Sequence, residues 1–108
     1  MAASITGFLL DTPTYKIFDV AVPEVDAINV DTALTFAGAT MQNFAGAPQT
    51  YWATEITAAT DTPTVNCNMA LHAVTALGFS VFKTSVTAAT VDVHTFRVWM
   101  TTLSLFQI

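Results

Sequence analysis

Two histidines and an aspartate are the residue types from which a metal site could be built. Asp92 and His94 stand two positions apart, so a β-strand would present both on one face, and His72 is the other histidine of the chain. Zinc needs three or four ligands, and Cys67, the single cysteine, stands in no ligand motif. We therefore predict no metal site and expect exposed or hydrogen-bonded histidines. A cluster of His72, Asp92 and His94 is the alternative that a metal enzyme would require.

Nucleophilic and acid–base catalysis lack a recognisable arrangement as well. The serines stand outside any Gly-x-Ser-x-Gly context. The thiol of Cys67 falls on the apolar side of an alternating stretch, where it behaves as a small hydrophobic group. Glu55, close to Trp52 and Ile56, is the best candidate for a desolvated acid, although a strand glutamate is normally solvated. Because the chain also has no glycine-rich phosphate loop, we predict that it is not an enzyme and uses no cofactor.

Three aromatic side chains could act together in binding. Tyr51, Trp52 and Trp99 would suit a platform on which sugars stack, since their rings are flat and apolar and carry a polar group. They could equally fill a core or form a subunit interface. We favour the interface, because outward-facing aromatic residues are enriched at protein contacts.

The elements that position these side chains are read from hydrophobic alternation, which is typical of strands with one buried face. In the clearest stretch, residues 64–73, Val65, Cys67, Met69 and Leu71 point the same way. Valine, threonine and phenylalanine are abundant, and branched and aromatic side chains favour strands over helices. The predicted strands are residues 15–22, 27–36, 50–57, 64–73, 78–86 and 94–100.

Turn-forming residues separate these strands. They stand at residues 11–13, 22–24, 46–48, 61–63 and 78. A turn roughly every 12 to 15 residues, with no amphipathic helix in between, favours a sandwich or a small barrel. We predict a single all-β domain over residues 1–108, an antiparallel, jelly-roll-like β-sandwich of about seven or eight strands.

The composition argues against several classes of protein. Hydrophobic residues make up 53% of the chain and charged residues 10%, with three basic side chains against eight acidic ones and a net charge of −5. Without a basic patch we expect no nucleic-acid partner. The high mean hydropathy of +0.54 argues against intrinsic disorder, and a single cysteine cannot build a disulfide scaffold.

Membrane insertion and secretion are not expected either. The two stretches without acidic or basic residues, 32–54 and 62–82, contain proline, asparagine and recurrent threonine instead of a continuous apolar run. The N-terminal residues carry no positive charge ahead of the short apolar patch at residues 8–10, so they do not resemble a secretory signal. We therefore expect no membrane partner and folding in a cytoplasm.

The shortage of charge on so apolar a chain predicts self-association. A domain of this size leaves much of its surface in water, and so few charged side chains cannot cover it. Both ends are apolar and are expected to be docking arms or edge strands, over residues 1–12 and 101–108. We expect an obligate oligomer whose interfaces bury about 2,000 Å² or more. The predicted contact residues are Phe8, Leu9, Trp52, Trp99, Leu105 and Phe106.

Residues 78–100, with their Thr/Ala-rich turn and the closing run Thr-Phe-Arg-Val at residues 95–98, resemble the final hairpin of small structural proteins of tailed bacteriophages. The runs at residues 20–23 and 33–39 are similar to the opening of those proteins. The resemblance implies a capsid cement, or decoration, protein of jelly-roll-like build. Such a protein is a homotrimer that binds the major capsid protein and strengthens the shell without catalysis.

The resemblance also implies a location in the virion after assembly in the host cytoplasm. The alternative within the same resemblance is a fibre or tail-associated module that binds a receptor or a carbohydrate.

Overall fold

The computed structural model describes residues 3–23, 31–56, 68–83 and 93–104. Within these ranges the chain forms seven β-strands and one short 3₁₀ helix. The strands are β1 (Ser4–Asp11), β2 (Tyr15–Pro23), β3 (Asp31–Thr35), β4 (Thr50–Glu55), β5 (Met69–His72), β6 (Gly78–Lys83) and β7 (Val93–Thr101), and the 3₁₀ helix, η1, is Ala37–Ala39.

The strands form two antiparallel sheets. The four-stranded sheet has the order β1-β2-β7-β4, and the three-stranded sheet has the order β3-β6-β5. Successive strands from β2 to β5 alternate between the sheets, so that β2 pairs with β7 while β3 pairs with β6. This nested antiparallel order confirms the predicted jelly-roll-like β-sandwich.

The core lies between the two sheets and follows the alternation of the sequence. On β2 every second residue from Phe18 to Val22 is buried, and on β7 the same holds from Phe96 to Met100. Phe79 of β6 closes the core from the other sheet, and its ring centroid lies 5.4 Å from that of Phe18. Burial in these three strands therefore follows the alternation from which the strands are predicted.

Three strands end earlier than the alternation predicts; one is β4, predicted over residues 50–57, which ends at Glu55. β3 stops at Thr35, because Phe36 turns into η1 and places its buried ring edge-on to the ring of Phe44 at 5.4 Å. β5 stops at His72, because Ala73 adopts a positive φ of 50°, which is incompatible with an extended strand. The predicted N-terminal parts of β3 and β5, residues 27–30 and 64–67, lie outside the described residues.

Gly78 is required where β6 begins. It pairs with Thr35, and a Cβ atom at this position would lie 2.1 Å from the carbonyl oxygen of Leu34. No other residue fits without moving the β3 backbone, so the glycine that the sequence marks as a turn residue also sets the approach of the two strands.

Of the N-terminal arm predicted at residues 1–12, the stretch Ser4–Asp11 forms an edge strand within its own chain. β1 pairs with β2 throughout its length, and its register shifts between Ile5 and Gly7 and again between Phe8 and Leu10. At each shift β1 contains one extra residue, the signature of a β-bulge. Of the other predicted arm, Thr101 is the last residue of β7, residues 102–104 follow it, and residues 105–108 lie outside the described part of the chain.

Candidate interaction surface on the four-stranded sheet

An apolar row crosses the outer face of the four-stranded sheet, the face turned away from the core. Trp52 of β4 lies opposite Trp99 of β7, which lies opposite Ile17 of β2, and Ile17 lies opposite Leu10 of β1. Directly opposed residues share a face of a sheet, so these four side chains form one line from edge to edge. We call this line the apolar row.

The two tryptophans of the apolar row are stacked. Their ring centroids are 5.7 Å apart and their planes differ by 8°. Trp52 is 42% exposed and Leu10 is exposed as well, whereas Trp99 and Ile17 are half-buried. The row therefore offers flat apolar surface to a partner along its whole length.

The neighbouring row on the same face carries a compensated charge pair. Arg97 donates to Asp19 across β7 and β2, with its Nε 2.9 Å from Oδ1 and its terminal nitrogen 3.3 Å from Oδ2. This hydrogen bond is the main reason that the pKa of Arg97 lies above its ordinary value. The two charges cancel, so the middle of the outer face attracts neither anions nor cations strongly.

The strand β4 is exposed on both of its sides. Tyr51, Ala53 and Glu55 lie on the inner face of the sheet, opposite core residues of β7, yet all three are exposed. The three-stranded sheet thus covers the inner face of β2 and β7 but leaves β4 open.

The free edge of β4 presents its backbone in a regular pattern. The N–H of Ile56 donates to the carbonyl of Thr95 at 2.8 Å, so hydrogen bonds to β7 are made by alternate residues, among them Thr54 and Trp52. The backbone groups of Tyr51 and Ala53 consequently point away from β7. Within the described residues no further strand pairs with this edge.

The six predicted contact residues are distributed over different parts of the molecule. Trp52 and Trp99 are brought together in the apolar row. Leu9, 58% exposed, occupies the second bulge of β1, and Phe8, 50% exposed, lies opposite Phe18 and therefore on the other face. Leu105 and Phe106 lie outside the described residues.

Ile17 and Leu10 complete the apolar row, and neither is among the predicted contact residues. A signal for their pairing exists, because the turn at residues 11–13 brings the two ends of a hairpin together at these positions.

The polar side chains that could have served in catalysis are paired with one another. Each of the four carboxylates in the described residues contacts a basic side chain: Asp11 with Lys16, Asp19 with Arg97, Asp31 with His72, and Glu55 with His94. Both predicted hydrogen-bonded histidines are thus confirmed. Glu55, the candidate acid, lies with Oε2 2.6 Å from Nδ1 of the buried His94.

The lysine of the first pair is buried within the core. Lys16 has no exposed surface, and its ammonium group lies 5.3 Å and 4.9 Å from the ring centroids of Phe36 and Phe44. The partner Asp11 also accepts the backbone N–H of Gln42 at 3.2 Å. The pair therefore fastens the β1–β2 hairpin to the loop that follows η1, and the aromatic rings stabilise the charge.

The alternative metal cluster is not assembled in the described residues. His72 lies on the outer face of the three-stranded sheet, where its Nε2 is 2.6 Å from Oδ1 of Asp31, whereas His94 faces the core from the other sheet. Asp92 and Cys67 lie outside the described residues. Among those that are described, no three histidine, cysteine or acidic side chains are grouped as metal ligands would be.

A cavity of about 280 Å³ opens between β1 and β3. Its lining includes Ser4 and Ile5 on one side and Leu34 and Thr35 on the other. It offers hydroxyl groups but no titratable side chain, so it lacks the acid or base that catalysis would use.

In the part of the chain that the structure describes, no helix has the length and apolar character needed to cross a bilayer. No protein family, curated protein or solved structure matches the chain.

Proposed function

We propose that the protein is a non-enzymatic structural component of a virion, a capsid decoration protein that self-associates and stabilises the shell by contacting the major capsid protein. The homotrimer is the form that the resemblance to phage structural proteins implies. The apolar row is the observation that carries this proposal, because a line of exposed apolar side chains on a charge-compensated sheet face suits a large protein partner.

The physical mechanism is burial of apolar surface. At roughly 25 cal/mol for each Å² removed from water, covering the exposed parts of Trp52, Trp99 and Leu10 supplies the driving force. Aromatic side chains at the centre of a contact supply most of the binding energy in protein interfaces, and the stacked pair of Trp52 and Trp99 is suited to that place.

The test uses shells assembled from the major capsid protein encoded in the same genome. We expect the purified protein to bind these shells at a saturating ratio and to raise the temperature at which they disassemble. Trp52→Ser should weaken binding about tenfold or more. Leu77→Ser is the matched control, because Leu77 is exposed but stands outside the apolar row, and it should bind like the wild type.

Failure of the wild type to bind would overturn the proposal. Equal binding by wild type and Trp52→Ser would show that the apolar row is not the contact. Thermal unfolding of each variant confirms that a loss of binding does not come from a loss of folding.

A carbohydrate-binding function is the second candidate, and the exposure of Trp52 is the observation that favours it. An exposed indole can stack on a sugar ring. Against it, the ring of Trp52 is already stacked on Trp99, so only its remaining surface is free for a ligand. A glycan panel read by tryptophan fluorescence separates the functions: a saturable shift with one glycan class would support the binding module, and no shift on any glycan would exclude it.

A further inference from the structure

Within the described residues, the edge of β4 that faces away from β7 has no strand partner and carries neither a bulge, a proline nor a lysine. Proteins protect edge strands with bulges, prolines or lysines. The pairing of β4 with β7 proceeds without a register shift over all six residues, Thr50–Glu55, and the strand contains neither proline nor lysine. A regular edge of this kind, with Tyr51 and Trp52 both exposed, is a template for another strand.

We infer that β4 pairs with β4 of a second copy of this chain, antiparallel and about a two-fold axis at Trp52. This inference rests on the self-association in the proposed function and names the strand that mediates it. The two four-stranded sheets then become one continuous eight-stranded sheet.

The direction of the backbone groups restricts the register. Residues that point their N–H and C=O groups toward the open edge, such as Tyr51 and Ala53, must pair with one another across the axis. An axis at Trp52 places Tyr51 of each copy opposite Ala53 of the other. It lies near the middle of the strand, so nearly the whole of β4 takes part.

The side chains in this register are complementary. The large ring of Tyr51 faces the small Ala53, and the hydroxyl-bearing Thr50 faces Thr54, a pair that stabilises antiparallel sheets. The negative charges of the two Glu55 side chains lie at opposite ends of the contact and do not face each other.

The axis also joins the two apolar rows. The two Trp52 side chains occupy a position without hydrogen bonds between the strands, where opposed side chains approach most closely. Each row then continues into the other, from Leu10 through Trp99 and Trp52 of one copy to the same residues of the second. The contact places the two Trp52 side chains next to each other on one sheet face and doubles the length of the apolar surface that faces the shell.

A two-fold contact has a consequence for the oligomeric state. Copies joined through β4 occur in even numbers: dimers if no other contact forms, and hexamers if a separate three-fold contact builds the homotrimer. Mass measurement under non-denaturing conditions therefore distinguishes the contacts.

The first experiment removes one backbone donor from each copy. Ala53→Pro eliminates an N–H that points to the open edge and leaves the hydrogen bonds to β7 in place. Ala33→Pro is the matched control, because Ala33 lies on β3, an edge strand of the other sheet. The N–H of Phe36 donates to the carbonyl of Leu77, so alternate residues of β3 bond to β6 and the N–H of Ala33 points away from it. We expect Ala53→Pro to halve the mass of the even-numbered species and Ala33→Pro to leave it unchanged.

The second experiment tests the register by oxidative crosslinking in a Cys67→Ser background. Trp52→Cys places one cysteine of each copy directly opposite the other across the axis. Their Cα atoms then lie within the distance of about 4.4–6.8 Å that a disulfide bond requires. Thr54→Cys is the control, because its two copies would stand four residues out of register, roughly 13 Å apart along the strands. We expect a covalent dimer from Trp52→Cys and none from Thr54→Cys.

The outcomes separate this inference from the proposed function. A trimeric wild type that Ala53→Pro leaves unchanged would overturn the β4 contact while the decoration function stands. A dimer that Ala53→Pro dissociates, formed by a protein that does not bind shells, would support the β4 contact and overturn the decoration function. A wild type that is monomeric at high concentration would overturn both.

Discussion

The two edge strands of the four-stranded sheet, β1 and β4, differ in the regularity of their pairing. β1 is interrupted by two bulges and fastened at its end by the buried pair of Asp11 and Lys16. β4 is regular, exposed on both sides and free of bulges along its pairing with β7. Bulges twist an edge out of the geometry that another strand needs. The difference indicates that β1 serves the stability of the single chain, whereas β4 is available for a partner.

The largest expected effect is on the β1 edge. Asp11→Ala leaves the ammonium group of Lys16 buried without its carboxylate and releases the backbone N–H of Gln42. Removing one partner of a buried ion pair is costly, and we expect the free energy of unfolding to fall by about 3 kcal/mol. Chemical denaturation measures the change.

Asp31→Ala is the control for this prediction, because both side chains of the pair, Asp31 and His72, are exposed to solvent. Its loss should cost less than about 1 kcal/mol. If both variants lowered the free energy of unfolding by the same amount, burial would not distinguish the pair of Asp11 and Lys16 from the exposed pair of Asp31 and His72.

The next effect concerns the β4 edge and its two-fold axis. Trp52→Lys sets two positive charges opposite each other across the axis, and Trp52→Glu does the same with two negative charges; like charges in that position destabilise strand pairing. We expect each variant alone to lose the even-numbered species and a mixture of the two to recover it as a heterodimer. Native mass spectrometry of the mixture is the measurement, and a mixture in which the two variants remain separate would exclude the axis at Trp52.

A smaller effect follows from making β1 resemble β4. Deletion of Leu9 removes the extra residue of the second bulge while Phe8 and Leu10 keep their partners on β2. The first bulge remains, but the edge from Gly7 to Asp11 is then regular and should pair with other copies, so light scattering should detect larger species than the wild type forms. Leu9→Thr keeps the bulge and removes the exposed apolar side chain. If this control associated as strongly as the deletion, the bulge would not be the protective feature.

Much of the fold follows from alternation, but the surface does not. The period of two along residues 15–22 and 94–100 predicts which side chains of β2 and β7 are buried, since it depends on neighbours in the chain. The apolar row depends instead on which strands are adjacent and in what register. The sequence groups Trp52 and Trp99 as aromatic contact residues without giving their register, and only the order of β4 beside β7 stacks them.

The ion pairs could not be predicted for the same reason. Asp19 and Arg97 are 78 positions apart, and His94 and Glu55 are 39 apart, so nothing local in the sequence connects them. The burial of Lys16 is the opposite of what a charged residue at the start of a strand suggests, and it becomes intelligible only when the rings of Phe36 and Phe44 are in place. The strands could be predicted because alternation is local, whereas the surface depends on contacts between residues far apart in the chain, which single-sequence patterns do not encode.

The smallest effect concerns the charge balance beside the apolar row. The hydrogen bond to Asp19 raises the pKa of Arg97, so the guanidinium of the folded protein loses its charge only at pH values far above neutral. The outer face therefore stays compensated throughout the neutral range. Arg97→Gln leaves the carboxylate of Asp19 unbalanced on that face. We expect nearly unchanged stability, weaker binding to shells, and recovery of that binding as added salt screens the charge. The double variant Asp19→Asn, Arg97→Gln restores neutrality and should bind at low salt like the wild type; if it binds as weakly as Arg97→Gln, the guanidinium itself contacts the partner and charge balance is not its role.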